Sequence, residues 1–204
     1  MFVYPDIDPI AFSLGPIQVA WYGLMYLLGF VAAYWLAIKK TKQEWSPLEH
    51  HHIEDLIFYS AIGVIIGGRL GYMFFYDTSA LFSDPLGWLA RAPQIWKGGM
   101  SFHGGFIGVV LAVKIFSSNA KSDFLEVIDF VAPLVPIGLG LGRLGNFINN
   151  ELWGKTTDFF LGFLVDGIVR HPTQLYEAAL EGLILFLILW IYSLEKRERG
   201  MVAA

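Results

Sequence analysis

The chain of 204 residues contains no cysteine. That excludes disulfides, a thiolate metal site and a cysteine nucleophile, so any thiol chemistry must use a partner's thiol. Charge is scarce as well: Asp, Glu, Lys and Arg make up 16% of the residues and hydrophobic types 55%, too apolar for an ordinary soluble domain of this length. The net charge of -4 is small. Basic residues are segregated by loop rather than pooled into a patch, which argues against nucleic acid as a partner. There is no G-x-S-x-G elbow, no H-E-x-x-H pair, no phosphate-binding G-x-x-x-x-G-K-[ST] and no G-x-G-x-x-G after a strand. Gly138, Gly140, Gly142 and Gly145 end an apolar span and are a poor dinucleotide loop. His50, His51 and His52 are consecutive; adjacent residues do not share a helix face, so they read as a solvated helix entry and not as a metal site. No internal repeat, low-complexity tract or linker divides the chain. The start, MFVYPDIDPI, lacks the basic n-region of a cleaved signal peptide.

What is present is apolar length. Five segments reach the ~20 residues that a helix needs to cross a bilayer core: 18–38, 53–76, 98–116, 124–141 and 174–194. The fold class expected is an all-α integral membrane bundle, a single polytopic domain over 1–204, with a small periplasmic head region and two longer outer loops, 77–97 and 143–173. Lys39, Lys40, Lys42, Lys114, Lys121, Lys196, Arg197 and Arg199 fall on one side; Arg91, Lys97, Arg143, Lys155 and Arg170 fall on the other. The excess of Lys and Arg marks the cytoplasmic side, which predicts the N-terminus outside and the C-terminus inside. Trp21, Tyr22, Tyr26, Tyr72, Tyr76, Trp88, Trp96 and Trp153 concentrate toward the outer boundary, as interface anchors do. Tyr26 sits deeper and its hydroxyl needs a polar partner.

Polar groups within this apolar frame are the candidates for chemistry. The block Gly142 to Gly154, GRLGNFINNELWG, sets a cation, carboxamides and a carboxylate directly after an uncharged run. Arg143 there suits a lipid phosphate, which a guanidinium can hold through two parallel hydrogen bonds. If the stretch is helical, Arg143 and Asn146 share a face. The third span opens as GGMSFHGGFIG, a sequence for a flexible or broken helix. His103 among these glycines is either a proton acceptor near neutral pH or a buried histidine donating to a carbonyl. Arg69 lies inside the second span beside Gly63, Gly67, Gly68 and Gly71, whose spacing permits close helix packing. It needs a partner: Asp129, Glu177 and Glu181 are intramembrane carboxylates that could pair with it to hold the bundle, and ligand contact is the other reading.

WYGLMY, GGRLGY, GGMSFHGG, GRLGNFINNELWG and RHPTQLYEAALEG, in this order and separated by spans, closely resemble the bacterial phosphatidylglycerol:prolipoprotein diacylglyceryl transferase family over nearly the whole chain. The resemblance implies a multi-pass enzyme of the bacterial inner membrane with its active site toward the periplasm and no cofactor or metal. It would transfer the diacylglyceryl group of phosphatidylglycerol to the lipobox cysteine thiol of a prolipoprotein, forming a thioether and releasing glycerol phosphate. The lipobox peptide, phosphatidylglycerol and surrounding membrane lipids are then its partners. By resemblance His103 is the base, Arg143 binds the phosphate, Asn146 contacts the headgroup, Glu151 orients Arg143 or the substrate, and Tyr26 lines the site. Gly104 and Gly154 match positions of close backbone approach. Family members continue past the region matching EKRERGMVAA with further spans and another arginine counted in the phosphate site, so residues 1–204 alone are expected to be weakly active or inactive. The alternative from another class is a noncatalytic protein that binds or transports an anionic lipid, using the same arginine and amides.

Overall fold

A computed structural model describes residues 1–15, 17–95 and 98–204; Trp96 and Lys97, assigned above to the outer side, lie outside the described residues. The protein is a mostly helical, multi-pass membrane protein. Helices at Trp21–Lys40, His52–Phe75, Phe102–Asn119, Phe124–Ile148 and Thr173–Tyr192 are long and apolar enough to cross a bilayer. Their outward faces carry Trp35, Phe58, Ile66, Phe106, Leu111, Leu183 and Ile188, all exposed. In water such surfaces would aggregate; in lipid they face the solvent that stabilises them.

The chain packs as two compact units, 1–45 with 129–204, and 46–128. In the first unit, strand β1 (Phe2–Val3) is followed by the hairpin β2 (Ile10–Leu14) and β3 (Ile17–Ala20), and then by helix α1 (Trp21–Lys40). In the second, α2 (His52–Phe75) leads to two short helices, α3 (Thr78–Ser83) and α4 (Pro85–Arg91), and then to α5 (Phe102–Asn119). The outer loop expected at 77–97 therefore contains helix, started at α4 by Asp84, whose carboxylate accepts from the Gly87 amide at 3.0 Å. The chain then forms α6 (Phe124–Val131), a 3-10 turn, α7 (Val135–Ile148), β4 (Phe163–Val165), β5 (Ile168–Arg170), α8 (Thr173–Glu177), a π-helical stretch Ala178–Ile184 and α9 (Leu185–Tyr192). Pro133 and Pro136 lack backbone donors, which accounts for the 3-10 turn between α6 and α7.

Glycines set the helix contacts. Along α2 and α5, a Cβ on Gly63 would lie 2.6 Å from the Gly108 carbonyl oxygen, and one on Gly71 would lie 2.6 Å from the Gly104 Cα. These backbones touch, which is how small residues drive helix association where lipid supplies no hydrophobic force. In the first unit, Gly140 of α7 faces Gly182 of the π-helical stretch, and a Cβ on Gly140 would fall 2.9 Å from the Gly182 Cα. Gly29 of α1 approaches Gly138 in the same manner.

The head region of the first unit is a small sheet, ordered β1, β4, β5, with β1 parallel to β4 and β4 antiparallel to β5. Tyr4, Phe147, Trp153 and Phe163 stack beneath it with ring centroids 5.5 to 5.9 Å apart. The Tyr4 hydroxyl donates to the carbonyls of Phe147 and Ile148 at 3.0 and 2.9 Å, tying the start of the chain to the last turn of α7. Burial pushes the Tyr4 phenol above its ordinary pKa, so it remains a donor.

Candidate active site

Helix α7 continues through Arg143 and Asn146 to Ile148, which corrects the expectation that the outer loop begins at residue 143. Polar side chains are tolerated in its last turns because each finds a partner. Arg143 and Asn146, three residues apart, lie on neighbouring positions of one helical face. The Arg143 Nε is 2.8 Å from the Glu177 carboxylate, and its Nη2 is 3.9 Å from that of Glu181. Both carboxylates come from the last span. The π-helical stretch that starts at Ala178 shifts the register after Glu177, and such stretches recur where a helix presents functional groups.

Glu151 is expected from the sequence to be a partner for Arg143 or for substrate. In the structure Arg143 goes to Glu177 and Glu181 instead, while the Glu151 carboxylate accepts from Asn146 Nδ2 at 2.8 Å and Asn149 Nδ2 at 3.3 Å. The chain can double back there because Asn150 and Leu152 adopt left-handed φ of 57 and 61°. Its backbone is fixed from the last span: Gln174 Nε2 donates to the Glu151 carbonyl, and Thr173 Oγ1 to the Leu152 carbonyl at 2.8 Å. Gln174 is fully buried. Gly154 is a close approach, since a Cβ there would lie 2.6 Å from Thr173 Cγ2 and 3.0 Å from His171 Cβ. Tyr26 finds a polar partner in Tyr22, with hydroxyls 3.4 Å apart, and the Tyr22 ring packs on Gly145 of α7. Arg143, Asn146, Glu151, Gly154 and Tyr26 thus belong to the same compact unit, which forms a cation flanked by carboxylates and carboxamides.

His103 and Gly104 belong to the other unit. The expected broken helix is absent at His103: Gly98 and Gly99 adopt φ of 80 and 78°, and α5 starts regularly after them. Ser101 caps it, its hydroxyl accepting from the Gly104 amide at 3.3 Å. His103 occupies the first turn and is exposed. Gly104 lies against Gly67 and Gly71.

Arg69 and Asp129 have partners other than each other. The Arg69 guanidinium donates to the carbonyls of Arg91, Ala92, Gly98 and Gly99 within its own unit, where a carboxylate partner is the expectation from the sequence. Asp129 accepts the backbone amides of Gly200, Val202 and Ala203 at 2.6 to 3.0 Å. A sequence shows carboxylates readily, but nothing in it shows where turning backbones will leave carbonyls and amides unsatisfied.

The family model described as prolipoprotein diacylglyceryl transferase matches residues 9–204. The chain belongs to that family. It is 54% identical to the phosphatidylglycerol--prolipoprotein diacylglyceryl transferase of Pseudoalteromonas atlantica, over 99% of this chain and 71% of that protein. It is 54% identical to the protein of the same name from Legionella pneumophila strain Lens, over 100% of this chain and 79% of that protein, and 51% identical to the one from Solidesulfovibrio magneticus, over 100% and 77%. The sequence alone assigns Gln174 no role, marks Tyr22 as an interface anchor and offers Glu177 to Arg69. The signal that could have found them is positional: Gln174 and Glu177 are three residues apart and Glu181 is four further on, a helical stripe of polar groups in a span.

Proposed function

We propose that this chain transfers the diacylglyceryl group from phosphatidylglycerol to a cysteine thiol in the lipobox of a prolipoprotein. The thiol sulfur attacks the glycerol carbon that carries the phosphate ester, a C–S bond forms as the C–O bond breaks, and glycerol phosphate leaves with the electron pair. Attack at carbon leaves the phosphorus untouched, so the protein's task is to bind the phosphate, offset its growing charge and remove the thiol proton.

The observation that carries this reading is the Arg143 guanidinium held by Glu177 through one edge. An arginine held through Nε is fixed in direction, and its terminal nitrogens can still meet phosphate oxygens. Asn146, itself oriented by Glu151, adds a carboxamide for the headgroup, and Tyr26 lines the site. His103 serves as the base that accepts the thiol proton. The chain has no thiol of its own, which fits a reaction whose nucleophile arrives on the substrate. Gly104 and Gly154 keep backbones close where a side chain would intrude. In this reading residues 1–204 form one polytopic domain in the bacterial inner membrane, with the N-terminus and the Arg143 end periplasmic and Ala204 cytoplasmic.

The test is reconstitution of the purified protein with phosphatidylglycerol vesicles and a lipobox peptide. Release of glycerol phosphate together with a peptide heavier by one diacylglyceryl group supports transfer. Lipid binding with neither product favours a noncatalytic anionic-lipid-binding protein.

A further inference from the structure

Arg69 is a buried cation that lies over the Tyr72 ring, 5.8 Å from its centroid, and its described hydrogen bonds all go to backbone carbonyls. Nε donates to Ala92 O at 3.3 Å, Nη2 to Arg91 O at 2.6 Å, and Nη1 to Gly98 O and Gly99 O at 2.6 and 3.1 Å. It lies six residues before the end of α2, about 9 Å along the helix at 1.5 Å per residue. Carbonyls freed where a helix ends or the chain turns need donors, and each one left unsatisfied away from water is costly. The guanidinium meets four. Two of them, Arg91 and Ala92, end α4, where carbonyls carry the negative end of the helix dipole. The other two belong to Gly98 and Gly99, whose positive φ turns their carbonyls to the same cation. At Gly99 a side chain is doubly excluded, because a Cβ would lie 2.6 Å from the Tyr72 ring and 2.8 Å from Arg69 Nη1.

Just beyond Gly99 the chain enters α5. The Ser101 amide donates to Gly68 O at 2.9 Å, one residue from Arg69, and Ser101 caps the turn that carries His103. Residues 68 to 71 therefore hold the segment that leads into His103 through a rigid planar fork, the hydrogen bond from the Ser101 amide to the Gly68 carbonyl and the Gly71 to Gly104 contact.

We propose that Arg69 is a positioning residue for the transfer reaction, fixing the first turn of α5 so that His103 is presented to the thiol in one orientation. This rests on His103 as the base. Lysine keeps the charge but not the fork, and it cannot reach four carbonyls at once.

The experiment compares Arg69→Lys, Gly99→Ala and His103→Gln in the reconstituted full chain. It uses phosphatidylglycerol vesicles and a lipobox peptide, with transfer followed from pH 7 to 9 and amide hydrogen exchange measured over 98–105 and over 110–119. Arg69→Lys should lower kcat on the order of tenfold with KM for phosphatidylglycerol changed less than about twofold, as expected when orientation of a catalytic group is lost. Its deficit should shrink as pH rises and the peptide thiol ionises unaided. Exchange should speed up over 98–105 while 110–119 is unchanged, and Gly99→Ala should behave alike. A uniform rise in exchange, an unchanged kcat, or a deficit that does not vary with pH would overturn the proposal. The His103→Gln arm separates the two readings: full activity there removes His103 as the base, whereas a defective His103→Gln beside an unaffected Arg69→Lys removes only Arg69.

Discussion

Replacing Arg143 by lysine measures how much of the site depends on geometry and how much on charge alone. In the parent protein Glu177 holds Nε at 2.8 Å and Glu181 lies 3.9 Å from Nη2, so Nη1 and the remaining hydrogen of Nη2 can meet a phosphate through parallel hydrogen bonds. A lysine ammonium is a point donor on a flexible stem and must choose between the carboxylate and the phosphate. The loss is thus one charge-assisted hydrogen bond, about 1.5 to 3 kcal/mol. The Arg143 side chain is 34% exposed, so screening favours the lower end of that range. At 1.4 kcal/mol per factor of ten, the expected fall in kcat/KM is roughly tenfold and no more than about a hundredfold. The assay is glycerol phosphate release against phosphatidylglycerol concentration in vesicles, with a thermal melt to show that the variant is folded. A folded Arg143→Lys protein with kcat/KM within about twofold of the parent would falsify the assignment of Arg143 to the phosphate.

Glu177→Gln should loosen the same guanidinium and lower kcat/KM by about fivefold, the ~1 kcal/mol of a partly exposed ion pair; an unchanged value means that Arg143 is oriented by other groups. His103→Gln should lose most activity at pH 7 yet gain ~8-fold between pH 7 and 8 as a thiol of pKa ~8.5 ionises, and a flat profile would assign His103 another duty. Gly182→Ala places a Cβ 2.6 Å from the Gly140 Cα and should cost about 1 to 3 kcal/mol of overpacking, read as a lower melting temperature; no shift would mean that the helices separate freely. Because there is no native cysteine, single cysteines at the exposed Asp158 and Lys196 report orientation cleanly. A membrane-impermeant maleimide should label the first from outside and the second only after the membrane is opened, and the reverse pattern inverts the topology.

The contrast between Arg143 and Arg69 shows which parts of this site a sequence can carry. The five apolar spans are legible because bilayer thickness fixes their length and lipid tolerates few charges, and Arg143 is legible because it appears where the uncharged run ends. Arg69 is equally conspicuous, yet its partners could not be read. A carboxylate is an explicit letter in the sequence; a free carbonyl is created only when the backbone stops forming a helix. The four carbonyls on Arg69 exist because α4 ends at Arg91 and because Gly98 and Gly99 turn with positive φ. Glu177 and Glu181 were visible as intramembrane charges, but choosing Arg143 over Arg69 for them requires knowing that the Gly140 to Gly182 contact brings α7 against the last span. Side-chain chemistry near a helix end is local and therefore readable, whereas pairing across helices waits on which glycines touch. Asp129 completes the same argument. It looks like half of an ion pair, and it instead accepts three backbone amides from residues 200 to 203, so an intramembrane charge identifies a demand for hydrogen bonds before it identifies a partner.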